Sequence, residues 1–405
     1  MVWRKTEMRD QVDARVRIRG PVERTMPEQP LLPAQPAALP RTLVVSQRRL
    51  NPVVSNCLLF EFEDLVETFE EASLLSPDRV PFPDLRTRGL VTRAGDFVPG
   101  FASASWAKVH AGLRKHDLVF VNVLSPAGLG ALQPVAGLAR LGHTSVCNVT
   151  EIWAKGLKDR TGELRQLRAF DVIAVGCAGS VEEVGRLTGR PCLYLPPSVD
   201  ALGMCPYPDG PERVIDVYAM GRRPEGTHAA LLQFAARRRW YYLYDTVAGN
   251  VGFTNHREHR AQLGDRIRRS RYFLTNHGKA NARCETGAQL EVGQRFFEGA
   301  SGGAVLFGAA PRTVHFQEWF GWPDAVVDLP YDSGDVGACL ESLESDPARV
   351  ERIRRTNVIQ SLRRHDHVHR WSQLLAFLGL PETPAMRSRK VALEERAIAV
   401  SRAFG

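Results

Sequence analysis

The sequence predicts an α/β protein of two doubly wound units, each a parallel sheet with helices between its strands. Three observations carry that expectation. Short apolar runs that fit strands alternate with stretches of helical spacing along almost the whole chain, the pattern of parallel sheets with helical crossovers. At 405 residues the chain is longer than one ordinary core organises, so two domains of similar size are expected. Near the middle, Pro196 and Pro197 stop a strand and a glycine- and proline-rich stretch, 203–212, follows as an interdomain linker. The expected division is a tail over 1–40, a first domain over 41–205, a linker at 206–212, a second domain over 213–380 and a terminal helix within 381–405.

Residues 1–40 are mixed in charge and then proline-rich, which reads as a flexible tail. Order begins with an apolar strand at 41–46 and a polar turn, after which 57–62 resumes. The spacing of Leu65, Phe69 and Ala72 predicts a helix over 64–75. Helices at 103–115, 129–140 and 158–169 then alternate with strands at 117–124, 144–148 and 172–175. Gly128 and Gly130 resemble the opening of a dinucleotide fingerprint, but Gln133 holds the third-glycine position, so the pair reads as a turn and not as an NAD site. The run from Cys192 to Asp200 is a strand ending in the proline turn.

The second series opens with a strand at 214–219 that ends in Met220-Gly221-Arg222-Arg223, followed by a helix over 228–239, a strand at 241–244 and a basic helix over 258–270. After a strand at 272–275 comes a polar loop with His277, Lys279 and Arg283, a helix starting near Gly293, a small-residue break at 301–303 and a buried strand at 304–307. Beyond it lie a strand within 320–331, helices over 336–343, 348–361 and 369–378, and a charged amphipathic helix over 387–403.

The chemistry concentrates around Gly293. The unpaired N–H groups of Gly293, Gln294 and Arg295 and the positive end of the helix dipole suit a diphosphate, and a residue without Cβ admits a close backbone approach. Glu291 before the helix and Glu298 within it are expected to point toward one crevice, as acceptors for a sugar's hydroxyls. Arg222, at a strand's carboxyl end, offers a guanidinium fork to phosphate oxygens, with Arg223, Lys279 and Arg283 as further cations. His277 is a candidate donor to phosphate or sugar. Glu151 beside Trp153 is the leading catalytic candidate in the first domain, ahead of His143 and Asn51.

Glu291-Val292-Gly293, followed by Glu298 and the small-residue break, resembles the motif of the group 1 glycosyltransferases of the GT-B fold. In that family a first Glu precedes a second by eight residues and the second contacts the donor's ribose. Here Leu290 occupies the usual first position and Glu291 is one residue late, whereas Gly293 and Glu298 keep the family spacing. Leu195-Pro196-Pro197-Ser198-Val199-Asp200 is similar to the segment closing the family's amino-terminal domain. The resemblance implies two Rossmann-like domains facing a central cleft and transfer of a sugar from a nucleotide-sugar donor to an unidentified acceptor with retention of configuration. It places Arg222, Gly293 and Glu298 around the donor and has Glu291 steer the donor sugar; the residues themselves add Arg223, Lys279, Arg283, Val292, Gln294 and Arg295 to the donor side and Glu151 and His277 to the reacting centre. It also implies that the terminal helix packs back across the other domain.

Composition narrows the remaining classes. A hydrophobic content of 44% with 24% charged residues is that of a globular protein, and the absence of a long apolar run or signal-peptide centre predicts a cytoplasmic location. Seven scattered cysteines without a CxxC pair argue against disulfide scaffolds and zinc ribbons. The net charge of +8 permits an acidic partner, including peripheral contact with an anionic membrane face, and nucleic acid is not expected. His365, His367 and His369 read as a packed helix edge and no Asp-x-Asp metal motif is visible, so neither cofactor nor metal is expected, with the cations and the helix start neutralising the leaving diphosphate. Two alternatives share parts of this reading: an epimerase or phosphorylase acting on nucleotide sugars, and a non-enzymatic basic binding protein.

Overall fold

The computed structural model describes residues 40–77, 116–132, 135–246 and 251–402. The expected tail at 1–40, all but Pro40, the helix over 103–115 and Gln133 lie outside the described residues. Those described hold two all-parallel sheets, ordered β2-β1-β3-β4-β5-β6 and β11-β10-β9-β7-β8, within one compact unit spanning 39–405.

The first sheet comprises β1 (Thr42–Val45), β2 (Ser73–Leu75), β3 (His116–Val123), β4 (Gly142–Val149), β5 (Val172–Val175) and β6 (Cys192–Tyr194). Its helices are α1 (Cys57–Glu70), α2 (Val135–Ala139), α3 (Thr161–Leu167), α4 (Val181–Thr188) and α5 (Ala201–Met204). β7 (Ile215–Ala219), β8 (Tyr242–Tyr244), β9 (Ser270–Leu274), β10 (Val305–Gly308) and β11 (Val327–Asp328) form the second sheet. With them run α6 (Glu225–Arg238), α7 (His256–Arg268), α8 (Arg283–Thr286), α9 (Gln294–Ser301), α10 (Val314–Phe320), α11 (Val336–Glu344), α12 (Pro347–Arg364), α13 (His367–Leu378) and α14 (Pro384–Arg402).

The strands are apolar on both faces because helices cover both. Along β3, Leu118 and Phe120 enter one core while Val119, Val121 and Val123 enter another, and along β9 Phe273 turns from Tyr272 and Leu274 in the same way. The core that takes Phe120 also takes Phe273, Leu306, Trp371 and Leu393, so one apolar cluster joins the two sheets. The terminal helices carry it across. Trp371 of α13 packs edge-on against Phe120 with ring centroids 5.0 Å apart, and its indole donates to Glu70 Oε2 of α1 at 2.9 Å. The proline turn assists: Val199 N donates to the His365 carbonyl and His367 N to that of Val199, each at 3.0 Å.

Several elements differ from expectation. The helix read over 64–75 begins at Cys57 and ends where Glu71 adopts a left-handed φ of 55°; the remaining apolar residues pair with β1 as the edge strand β2. The helix expected over 129–140 is a 3-10 turn (Pro126–Leu132) followed by the short α2. The stretch 320–331 contributes only the two residues of β11, and α4 and α10 were not anticipated. No helix among the described residues is long and apolar enough to cross a membrane.

Candidate functional site

The loops leaving β4, β5 and β6 meet the loop after β9 and the start of α9, so carboxyl ends of both sheets border one crevice, the usual ligand position in open parallel sheets. Lys279 lies at its centre. Its backbone holds a left-handed φ of 48°, uncommon outside glycine. Its Nζ forms ion pairs with Glu151 from the loop after β4 and with Glu285 of α8, the latter at 2.6 Å, and lies 5.8 Å from the centroid of the Trp153 ring. Burial lowers the Lys279 pKa, but hydrogen bonds to the two carboxylates outweigh it and the net shift is upward. Trp153 Nε1 donates to Glu151 Oε1 at 3.1 Å, fixing the carboxylate beside the lysine.

Glu291 reaches across the crevice. Ala178 N and Gly179 N, after β5, donate to its two oxygens at 2.8 and 2.9 Å, and Gln289 Nε2 adds a third bond at 2.6 Å. Gln289 extends the contact by donating to Ser180 Oγ at 2.9 Å and accepting from Ala154 N at 3.1 Å. Gly293 is the N-cap of α9 and no side chain caps it. A Cβ there would stand 3.0 Å from the Asn276 carbonyl oxygen, so the close neighbour that favours glycine is the loop after β9. The Val292 side chain is buried in the core joining the sheets. Gln294 Nε2 donates to the Ser198 carbonyl at 2.9 Å.

Glu298 lies elsewhere than expected. Its carboxylate is fully buried beneath the helix, with Arg260 Nη1 of α7 on one oxygen at 2.5 Å and Arg295 on the other. Burial raises its pKa, yet the two guanidiniums more than compensate and hold it below the usual carboxylate range. Arg260 in turn binds both oxygens of Glu61 on α1, at 3.0 and 2.9 Å. His367 continues the chain, with Nε2 3.2 Å from Glu61 and Nδ1 2.7 Å from Ser198 Oγ. A cavity of about 290 Å³ lies between α1, α5 and α7, alongside Glu61 and Arg260. Glu291 and Glu298 therefore serve different contacts and do not share one crevice.

The other cations divide. Arg222 is exposed and pulls down the pKa of Glu285, although less than Lys279 does. Arg283 is exposed at the start of α8. Arg223 is committed to the end of β8: its Nη2 donates to the Asp245 carbonyl at 2.6 Å and its guanidinium lies 5.1 Å from the Tyr244 ring centroid. His277 is half-buried with its ring centroid 6.4 Å from that of Tyr331; burial, and then Arg283, lowers its pKa. His365 is fully buried against Phe297 and Phe320, and Asp366 is held by Arg389 at 2.7 Å. Among the described residues no group of three potential ligands stands close enough to hold a metal ion.

Sequence reasoning missed Glu61, Arg260, Gln289 and the buried pair Asn122 and Asn148, joined by a 2.9 Å hydrogen bond at adjacent strand ends. Arg260 belongs to a helix read only as basic, and nothing near it in sequence names its partners, 199 and 38 residues away.

Residues 222–376 match a family described as Glycosyl transferase-like. No curated protein matches the chain. Among solved structures, HepE of Anabaena in complex with UDP-glucose aligns with a TM-score of 0.50 at 13% identity, covering 84% of this chain and 99% of that one. An alpha-glucosyltransferase in complex with UDP-glucose and DNA containing an abasic site aligns with the same TM-score and coverage at 12% identity. The two parallel sheets and their helices are those of the GT-B glycosyltransferases.

Proposed function

We propose that this glycosyltransferase of GT-B fold takes its sugar from a nucleotide-sugar donor bound between the two sheets and passes it to an acceptor held by the amino-terminal half. In this reading 41–205 is the acceptor side, 213–380 the donor side, and 381–405 the helix that ties them. The observation that carries it is Lys279: a lysine at a strand's carboxyl end, pinned between Glu151 and Glu285 near the open start of α9. Two neighbours of the same fold hold UDP-glucose, which makes a uridine diphosphate donor the first to test.

The diphosphate would lie on the amides of Gln294 and Arg295, with Lys279, Arg222 and Arg283 supplying positive charge as it departs, so that no divalent ion is needed. Arg295, whose side chain keeps 31% of its exposure while it pairs with Glu298, adds a further cation at the start of the helix. Glu291, bound to the amides after β5, holds the closed crevice that keeps water from competing with the acceptor. Transfer proceeds with retention, and His277 is placed to donate to the sugar or its phosphate.

Calorimetric titration with UDP tests the donor site. Lys279→Ala should weaken UDP by roughly tenfold or more through loss of a charge-assisted contact. Unchanged affinity would remove Lys279, and this placement of the diphosphate, from the reading. With UDP-glucose as donor, proton NMR of the product in the presence of EDTA reads both remaining points: an inverted anomer, or loss of turnover on chelation, contradicts them.

A further inference from the structure

A second feature borders the start of α9 on the side of the amino-terminal strand ends. A small pocket of about 30 Å³, half open to solvent so that a ligand can extend out of it, lies where Asn122, Asn148 and Thr150 at the ends of β3 and β4 meet Pro197, Gln294 and Arg370. Three of its lining side chains carry buried polar atoms without a hydrogen-bond partner: Asn148 Oδ1, Gln294 Oε1 and Arg370 Nη2. Arg370 is the unusual member. It is 2% exposed and its guanidinium lies 4.2 Å from the Trp319 ring centroid. It donates from Nε to the Pro197 carbonyl at 3.4 Å and from Nη1 to the Arg364 carbonyl at 3.1 Å. No carboxylate among the described residues forms an ion pair with it. Asp366 is taken by Arg389, and Glu318 acts on Arg370 only through the longer-range field.

A buried guanidinium without a counterion is costly, and proteins normally pair it. Burial pulls its pKa down to about 10, which still leaves it charged at neutral pH. A fixed positive charge with an unpaired donor nitrogen, Nη2, thus borders the same small pocket as Asn122, Asn148 and Thr150 of the amino-terminal strand ends.

We propose that Arg370 is the counter-charge for an oxyanion, a carboxylate or a phosphate monoester, on the acceptor, bound between Arg370 and the β3 and β4 strand ends. That the anion belongs to an acceptor rests on the transfer reading above; that the site binds an oxyanion does not. The orphaned Nη2 suits an acidic ligand, and Asn148 Oδ1 and Gln294 Oε1 suit its hydroxyls or a bridging water.

The test uses the full chain, thermal unfolding, and sodium phosphate or sodium acetate at constant ionic strength, with and without saturating UDP. The wild type should gain midpoint saturably with at least one of the two anions, UDP present or not, and the anion that acts identifies the source of the charge. Arg370→Met should lose that gain and retain the UDP shift, and its unliganded midpoint should not fall, because an unpaired buried charge is gone. Arg370→Lys, which keeps a charge without the fork, should respond to the anion with roughly tenfold weaker apparent affinity. An equal anion shift in wild type and Arg370→Met, no shift with either anion, or a lowered midpoint in unliganded Arg370→Met each overturns the proposal. Absence of a UDP shift with the Arg370-dependent anion shift intact would instead count against the donor reading.

Discussion

Glu63 sits on α1 with no exposure, accepting from Arg48 Nη2 at 3.1 Å through Oε2, while Oε1 has no partner. Burial pushes its pKa from 4.5 up to about 7; Arg48 and Ser46 only partly restrain that rise, and the Asp64 carboxylate nearby adds to it. The folded protein therefore binds more protons at this site than the unfolded chain between about pH 4.5 and 7. Its contribution to stability falls as pH rises through that window and is constant above it. Glu63→Gln removes the titration, and Arg48 retains Asp64 at 2.8 Å. Urea unfolding should show the variant gaining on wild type between pH 5 and pH 8 by about 2 kcal/mol; a pH-independent difference would mean that Glu63 is ionised throughout. Single residues were legible in the sequence where position alone speaks. Lys279 and Glu151 lie just past the ends of strands, and each was named from that. Arg370, Arg260 and His367 were not, because their meaning depends on partners supplied by other helices, and an isolated arginine or histidine reads as surface or helix edge.

At the scale of elements, α9 shows why this region must be glycine-rich. A Cβ on Gly299 would come within 2.4 Å of Leu306 Cδ2 and 2.5 Å of Phe273 Cδ1, so the helix lies directly on β9 and β10. Two effects oppose each other in Gly299→Ala. Helix propensity favours alanine by about 1 kcal/mol, whereas forcing a methyl into a closed core costs about 1–3 kcal/mol. Leu306 and Phe273 are fully buried and cannot move aside, so overpacking sits at the upper end of its range and the variant should unfold at lower denaturant, with a net loss of up to about 2 kcal/mol. A rise in stability would show that the helix can lift from the sheet. Long elements such as β3, α12 and α14 were legible because their apolar spacing persists over many residues. β2 reads as the end of a helix because two leucines cannot distinguish the two periods, and its true state is decided by the turn at Glu71 and pairing with β1. Seven residues give α10 too little periodicity to announce itself, although Thr313 caps it by accepting from Phe316 N.

Over the whole molecule, the halves are joined by two kinds of contact with different consequences. The apolar cluster running from Phe120 through Trp371 to Phe273 stabilises the joint without specifying its geometry closely. The ionic chain Glu61–Arg260–Glu298–Arg295 specifies it: Arg260 touches α1 on one side and α9 on the other, and its charge survives burial only with both carboxylates in place. Glu61 reports the same coupling. Burial would raise its pKa, but Arg260 and His367 hold it down at about 2, so its contribution is present above the unfolded value of 4.5 and is lost as pH falls toward 2. Arg260→Met leaves Glu61 with His367 and Glu298 with Arg295, each short of a partner in a dry interface, and should cost about 3–5 kcal/mol. Adding Glu61→Gln to Arg260→Met removes one stranded charge and should recover part of that loss, whereas on the wild-type background the same substitution can only destabilise. Equal stability of the single and double variants would show that the chain is screened by water and does not set how the two halves meet.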